Sequence, residues 1–210
     1  EALVNYLVRL SWSHGDQEIF SQKELIDLFS LDAVGKSPAV FNPEKLLWLN
    51  AHYIKEASPA RLAEEMKLLW PAEADVSDES FIRKIIVDLQ PRAKTLVELV
   101  QASEFYFAGQ ITYEAEAAQK FLIPEVAPLL KSIAAAIPGI EDYSKAGIEA
   151  FLKSFIEANG IKFKAIAQPL RVALTGKTVS PGIDEVMVTL GKERVARRIN
   201  AAVDYISKRH

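Results

Sequence analysis

The sequence predicts an all-α fold built of short, capped helices. Three observations carry this. Apolar residues recur at spacings of three and four along nearly the whole chain, the period of a helix with one buried face. Ser-Pro, Asn-Pro and Pro-Gly pairs punctuate these stretches. No segment shows the period-two alternation of a half-buried strand, and no repeat of about 20–50 residues appears.

Residues 2–10 place Leu3, Val4, Leu7 and Val8 on one apolar stripe, and Ser13-His14-Gly15-Asp16 ends that helix. Ser21 opens a short helix over residues 23–29. Glu24, three residues on, completes a capping box, and Phe20 with Leu25 has the spacing of a hydrophobic staple. Ser37-Pro38 begins a loop. Asn42 caps a third helix with Pro43 in its first turn, and Leu46, Leu47, Leu49, Tyr53 and Ile54 form its apolar face. Ser58-Pro59 repeats the signal, and that helix ends before Trp70-Pro71. Residues 71–79 read as an acidic loop.

A helix from Ser80 runs to Pro91, where the ring breaks the backbone ladder and leaves Arg92 just past a bend, a position suited to projecting a side chain. The helical period then resumes, and the contiguous Phe105-Tyr106-Phe107 reads as core. Residues 114–137 contain Pro124 and Pro128 and read as two short helices, stopped by Pro138-Gly139. Ser144 caps a helix that ends at Asn159-Gly160, and residues 161–175 form another that ends at Gly176. Ser180-Pro181 caps the next, which stops at Gly191, and the last helix runs from residue 192 to about residue 207.

Half of the 210 residues are apolar, enough for a sizeable core in one or two domains. Mean hydropathy is near zero, and no run of about 18 apolar residues predicts a membrane span. The stretch EALVNYLVRL has neither a basic n-region nor a small-residue cleavage site, so no signal peptide is expected. Cysteine is absent, which excludes disulfides and thiolate zinc sites and fits a cytoplasmic location. His14, His52 and His210 are not spaced as helix-face metal ligands, and no metal site is expected.

The net charge of −3 hides an asymmetry. Residues 151–210 carry eleven Lys or Arg against five Asp or Glu, so the rest of the chain is acidic. A basic end on an acidic body is the footprint of a nucleic-acid binder or of a solvated helix face.

Gly176-Lys177-Thr178 resembles the end of a phosphate-binding loop, but that motif needs glycine where Arg171 stands. Gly35-Lys36-Ser37 fails likewise, with Ser30 in the glycine position. No nucleophile elbow, zinc-protease helix, dinucleotide fingerprint or cysteine nucleophile is present, and no catalytic residue is assigned. Glu64-Glu65 and Asp78-Glu79 read as solvated pairs rather than acid–base dyads. The bend from Thr175 to Ile183 instead suits an unpaired RNA loop. Gly176 and Gly182 allow a base close approach to the backbone, and Ser180-Pro181-Gly182 leaves outward N–H groups at a helix start. Arg171 supplies a forked donor, and Lys177, Arg194, Arg197 and Arg198 supply phosphate attraction. The alternative is a helical protein-interaction scaffold with a basic C-terminal face. A complete small enzyme is a third reading.

The stretches NYLVRLSWSHGDQEIFS, KSPAVFNPEKLLWLNAHYI and LRVALTGKTVSPGIDEVMVTLGKERVARRI resemble the C-terminal half of the bacterial glutamate–tRNA ligases (glutamyl-tRNA synthetases, class I), over residues 1 to about 200. SWSHGDQEIFS is similar to the stretch shortly after that family's KMSKS-type signature. The resemblance implies a stem-contact region at residues 1–56 and anticodon-binding subdomains at residues 57–107 and 108–210. It implies tRNA-Glu as partner, a cytoplasmic monomer, and no role for DNA or membrane. The family's ATP-binding domain, with its HIGH-like and KMSKS-like motifs, is then outside these residues. ATP and Mg²⁺ belong to the intact enzyme, no cofactor to this stretch, and the stretch alone should be inactive. Ser-His-Gly-Asp at 13–16 is not a HIGH motif, and the terminal SKRH reads as a basic tail.

Carried over by position, Arg92 in QPRAKT matches the arginine that reads the third anticodon base, where arginine accompanies rejection of tRNA-Gln. Arg171 and the turn of Thr175, Gly176, Ser180, Pro181, Gly182 and Ile183 match the loop that holds the other anticodon bases. Asp184 departs from the aromatic or leucine common in the family around that position. Residues 42–54 resemble the segment near the inner stem of the tRNA.

Overall fold

The computed structural model describes every residue except Ser37, Glu73 and His210. Three expectations therefore lie outside the described residues: the first residue of the Ser37-Pro38 loop start, Glu73 within the acidic loop, and His210 at the end of the tail. Among the described residues the structure is 68% helical, with eleven α-helices and no strand. No single helix among them is long and apolar enough to cross a membrane.

The helices are α1 (Ala2–Val8), α2 (Gln22–Leu28), α3 (Pro43–Glu56), α4 (Pro59–Glu65), α5 (Glu79–Leu89), α6 (Leu96–Phe107), α7 (Ala115–Phe121), α8 (Ala127–Ala136), α9 (Lys145–Ala158), α10 (Phe163–Thr175) and α11 (Ile183–Arg209). Short 3-10 turns include Gln90–Arg92, between α5 and α6. The chain packs as two compact units. One comprises Glu1–Pro71 with Leu89–Gln101, the other Ala72–Asp88 with Ala102–His210.

Local chemistry sets most helix ends. Ser21 Oγ accepts from Glu24 N while the Glu24 carboxylate accepts from Ser21 N, closing the capping box. Asn42 caps α3 with Pro43 at its first position, Ser58 caps α4 before Pro59, and Ser144 caps α9. Gly160 and Gly176 take left-handed conformations just past α9 and α10. Within the span labelled α11, Gly191 (φ 77°, ψ 160°) leaves the helical region, and the two helices expected on either side of it meet there at a kink. Two starts differ from expectation. α5 begins at Glu79 rather than Ser80, with Asp78 before it accepting from Phe81 N, and α10 begins at Phe163 rather than residue 161.

In the first unit, Ala2, Tyr6 and Leu49 form one apolar cluster and Trp12, Phe20 and Leu25 another. The face of α1 is not the one its apolar stripe predicts: Leu3, Val4 and Leu7 are more than half exposed, while Ala2, Asn5 and Tyr6 are buried. A polar node decides this. Asn5 Nδ2 donates to Glu18 O (2.9 Å), and Asn5 Oδ1 accepts from Phe20 N (2.7 Å) and from the Tyr53 hydroxyl (3.1 Å). Burying Asn5 satisfied satisfies backbone groups that an apolar residue would leave without partners.

In the second unit the largest contacts of α11 are with α8 and α10. Tyr106 is buried, as the core reading of its aromatic triplet requires, and Phe81 meets Tyr106 and Phe107 edge-on. The Tyr106 hydroxyl donates to Asp88, whose carboxyl is pushed above the usual range chiefly by burial.

Candidate nucleic-acid interface

In the second unit the site is built on the junction between α10 and α11. α10 stops because Gly176 turns left-handed, and its N–H donates to Val172 O (2.8 Å). Only glycine fits there. A Cβ would lie 2.3 Å from Thr112 O, and Gly176 O accepts from Glu114 N (2.9 Å). Thr175 is buried and turns its hydroxyl inward to Arg171 O (2.9 Å), while also accepting from Lys177 N (3.3 Å). Lys177 itself is exposed at the loop.

Arg171 holds the far side of the bend. Its Nη1 donates to Pro181 O (2.8 Å), to Ser180 O (3.1 Å) and to Ser180 Oγ. Three acceptors from two consecutive residues, all met by one guanidinium nitrogen, fix the loop against α10. Sequence reasoning gave Arg171 the task of meeting a base. The structure gives it first the task of shaping the surface a base would meet.

The start of α11 also departs from expectation. Ser180 does not cap it: its hydroxyl donates to Pro181 O (2.8 Å). Gly182 occupies the cap, and its N–H donates to Glu185 Oε2 (2.9 Å). The first turn carries Asp184 and Glu185, both paired with Lys145 at 3.4 and 2.7 Å. The Glu185 hydrogen bond, followed by these two carboxylates, holds the Lys145 ammonium above its ordinary range. An anion at this helix start would meet carboxylates, and the Gly182 N–H, one of the outward-pointing donors expected of the Ser180-Pro181-Gly182 turn, is already engaged.

What the bend offers is a concavity. A cleft of about 460 Å³ is lined by Arg171, Gly182 and Ile183, by Lys153 and Ile156 of α9, and by Phe163, with the carboxylates Glu149 and Asp184 also in its wall. Phe163, at the first position of α10, is 48% exposed, a large ring left open between Lys162 and Lys164. Ile183, in the cleft lining, and Pro181 of the bend are both buried. An aromatic face, a cation and backbone without side chains are the parts a splayed base needs. Phe163 escaped the sequence reading because one aromatic at a helix start has no periodic partner. Its flanking lysines were the available signal.

The four cations assigned to phosphate divide. Lys177 and Arg197 are exposed. Arg194 is exposed but lies over the Phe81 ring, 4.7 Å from its centroid. Arg198 is a correction. It is 2% exposed and donates to Leu174 O (2.8 Å), Phe105 O (2.7 Å) and Ala108 O (2.9 Å). These carbonyls lie near helix ends that lack intrahelical donors, and satisfying them commits both terminal nitrogens of the guanidinium to the interior rather than to a phosphate.

In the first unit, Arg92 is exposed at the end of the Gln90–Arg92 turn. The turn is anchored from within. Gln90 Nε2 reaches Ile54 O (2.9 Å), Lys55 O (2.8 Å) and Ala57 O (2.8 Å) at the C-terminal end of α3. Asn50 Nδ2 donates to Lys94 O (2.6 Å). Arg92 therefore projects from a turn held on both flanks.

A buried glycine-stopped bend, a cleft beside it and a clamped arginine turn, all on helices, are the parts of an RNA-loop binder. The family model described as an anticodon binding domain matches residues 55–203, and the chain belongs to that family. Its relatives are glutamate–tRNA ligases. The chain is 59% identical over 207 residues to glutamate–tRNA ligase 1 of Syntrophus aciditrophicus, covering 98% of this chain and 44% of that protein. It is 49% identical over 209 residues to the glutamate–tRNA ligase of Geobacter sulfurreducens, covering 99% and 45%. Among solved structures, that of a glutamate tRNA ligase from Elizabethkingia meningosepticum in complex with its amino acid superposes with TM-score 0.88 at 31% identity, covering 98% of this chain and 41% of that one. The chain thus spans a little under half the length of the relatives it matches.

Proposed function

We propose that this chain is the tRNA-recognition part of a glutamate–tRNA ligase that, when intact, attaches glutamate to tRNA-Glu using ATP. The carrying observation is the cleft beside the Arg171-held bend, in a chain of the anticodon-binding family. Residues 1–56 would meet the tRNA stem, and residues 57–107 and 108–210 the anticodon. In this reading Arg92 donates to the edge of one anticodon base. The cleft takes another base, with Phe163 against its face and the Gly182 backbone beside it, while Lys177, Arg194 and Arg197 draw the phosphates. The residues do not fit an ATP or Mg²⁺ site. There is no HIGH-like or KMSKS-like stretch, and among the described residues no cluster of three His, Asp or Glu could hold a metal. ATP and its metal are assigned to the remainder of the enzyme. We place the protein in the cytoplasm as a monomer.

The test is titration of the chain with tRNA-Glu and tRNA-Gln at two salt concentrations. Tighter binding of tRNA-Glu is expected, and Arg92→Ala should lower that affinity by about 1–3 kcal/mol while narrowing the difference between the two tRNAs. Equal binding of both, indifferent to Arg92→Ala, would reject the reading role. ATP–pyrophosphate exchange with glutamate should be undetectable for the chain alone.

A further inference from the structure

A second cleft, of about 470 Å³, lies in the unit that holds the bend but is lined by other residues: Tyr113, Arg197, Arg198, Asp204, Tyr205 and Lys208. Its charge is unbalanced. Three cations face one carboxylate, Asp204. Arg197 and Lys208 are exposed and form no ion pair among the described residues. Arg198, behind them, is a nearly fully buried cation whose partners are all neutral carbonyls, and its buried Nε has no hydrogen-bond partner. Burial, followed by the repulsion of Arg194 and Arg197, lowers its pKa to about 10, so it keeps its charge at neutral pH. A buried cation without an anion is an unfavourable arrangement that an incoming anion relieves.

The same cleft has an aromatic wall. Tyr113 and Tyr205 meet edge to face with centroids 4.9 Å apart, and both are partly exposed. Burial, with Tyr205 beside it, pushes the Tyr113 phenol up to about 12, so at neutral pH it is a protonated donor. Along α11, Arg197, Ala201, Tyr205 and Lys208 recur at spacings of four and three and so share one face, with the small Ala201 keeping it concave. The volume suits a small ligand of nucleotide size.

From the unpaired cations beside the two tyrosine rings, we propose that this cleft is a nucleoside-phosphate subsite, with its phosphate at Arg197 and Lys208 and its base or ribose against Tyr113 and Tyr205. In the reading above, its occupant is a nucleotide of the bound RNA strand, gripped without regard to sequence and in addition to those at the bend. That source rests on the tRNA reading. The chemistry of the cleft does not, because a free mononucleotide offers the same groups.

The experiment compares the chain with the double variant Arg197→Gln/Lys208→Gln and with a control, Lys84→Gln/Lys131→Gln, which removes two exposed cations elsewhere in the same unit. Each is titrated with tRNA-Glu across salt concentrations and, separately, with AMP while the tyrosine ring resonances are followed. A tRNA bearing a photoreactive nucleotide maps contacts. Expected are an affinity loss of about tenfold near 0.1 M salt and a salt slope shallower by about 1.5, the loss of two phosphate contacts, for the cleft variant and not the control. Crosslinks should fall on peptides holding Tyr113 or Tyr205. Equal losses in control and cleft variants, or no loss and no response to AMP, overturn the subsite. If that happens while Arg92→Ala still weakens tRNA binding, the function proposed above stands without it. If the chain ignores tRNA but AMP shifts Tyr205 and the cleft variant abolishes the shift, the subsite holds for a free nucleotide and the tRNA reading falls.

Discussion

Gln90 and Arg198 perform the same task in the two compact units with different chemistry. Each is nearly buried, and each donates to three backbone carbonyls: Gln90 to those of Ile54, Lys55 and Ala57, Arg198 to those of Leu174, Phe105 and Ala108. Helix C-termini leave carbonyls without donors, and both side chains supply them. The amide does so without charge. Its neighbourhood is complete once the bonds are made, and its product is a fixed turn presenting Arg92. The guanidinium supplies stronger, charge-assisted bonds to elements as distant in sequence as Phe105, |i−j| = 93, but brings a positive charge indoors that makes no ion pair among the described residues. A neutral anchor only positions. A charged anchor that bonds no phosphate itself still sets a field, and in the second unit Arg198 lines a cleft onto which that field opens.

The comparison breaks hardest at Arg198. Arg198→Met keeps the length and apolar packing of the side chain but strips three carbonyls of their donor, at about 1–3 kcal/mol each. Against this, removing a buried cation recovers about 3 kcal/mol, from a pKa held at about 10 instead of 12.5. The donor loss wins, and denaturant unfolding should show a net destabilisation of about 3 kcal/mol. Arg198→Lys keeps charge without the fork and should recover less than half of it. If Met proves neutral or stabilising, the cation is not the anchor described here. Gln90→Met lacks the compensating relief but loses only neutral bonds. We expect about 1–3 kcal/mol, with Arg92-dependent selectivity for tRNA lost before folding is. Unchanged selectivity would show that the turn holds Arg92 without its anchor.

These two anchors mark the limit of what the sequence discloses. The helix ends were legible because their partners are adjacent: Ser21 with Glu24, Asn42 with Pro43, Ser144 with Gly147, and the glycines at 160, 176 and 191. Each is decided within four residues by backbone sterics and one hydrogen bond. Asn5, Gln90 and Arg198 act over separations of 13 to 93 residues, and nothing in the neighbouring letters names their acceptors. The α1 stripe misled for that reason, since its apolar period was real but the Asn5 node outweighed it. At the candidate interface the same division holds. Gly176, Arg171 and Ser180 were readable as a bend. That Arg171 Nη1 is committed to the bend, that Gly182 rather than Ser180 caps α11, and that Phe163 opens onto the cleft depend on three-dimensional packing.

The smallest expected effect sharpens the contrast between the units through pH. In the first unit, Glu1, Glu18 and Glu24 all have carboxyls held below the ordinary range. The leading causes are the hydrogen bonds from Arg61 to Glu1, from Lys45 to Glu18, and from the Ser21 backbone to Glu24. A carboxyl with a depressed folded pKa adds stability that is present above its unfolded pKa of about 4.5 and lost as pH falls through the lower, folded value. In the second unit the hydrogen bonds of Ser77 and Ser144 likewise depress the exposed Asp75 and Asp142, but Asp88 is raised, chiefly by burial. Its sign is opposite. The folded state binds the Asp88 proton more readily than the unfolded one, so the penalty present above its folded pKa fades as pH falls towards about 3.8. Acidification should therefore weaken the first unit more than the second. Hydrogen exchange read peptide by peptide at pH 7 and pH 4, corrected for intrinsic exchange rates, should show protection lost first in α1 and α2 and retained longest around Asp88 and Tyr106. In Asp88→Asn the retained advantage should shrink. Protection lost equally in both units at pH 4, with or without Asp88, would mean that the buried carboxyl does not set the difference between them.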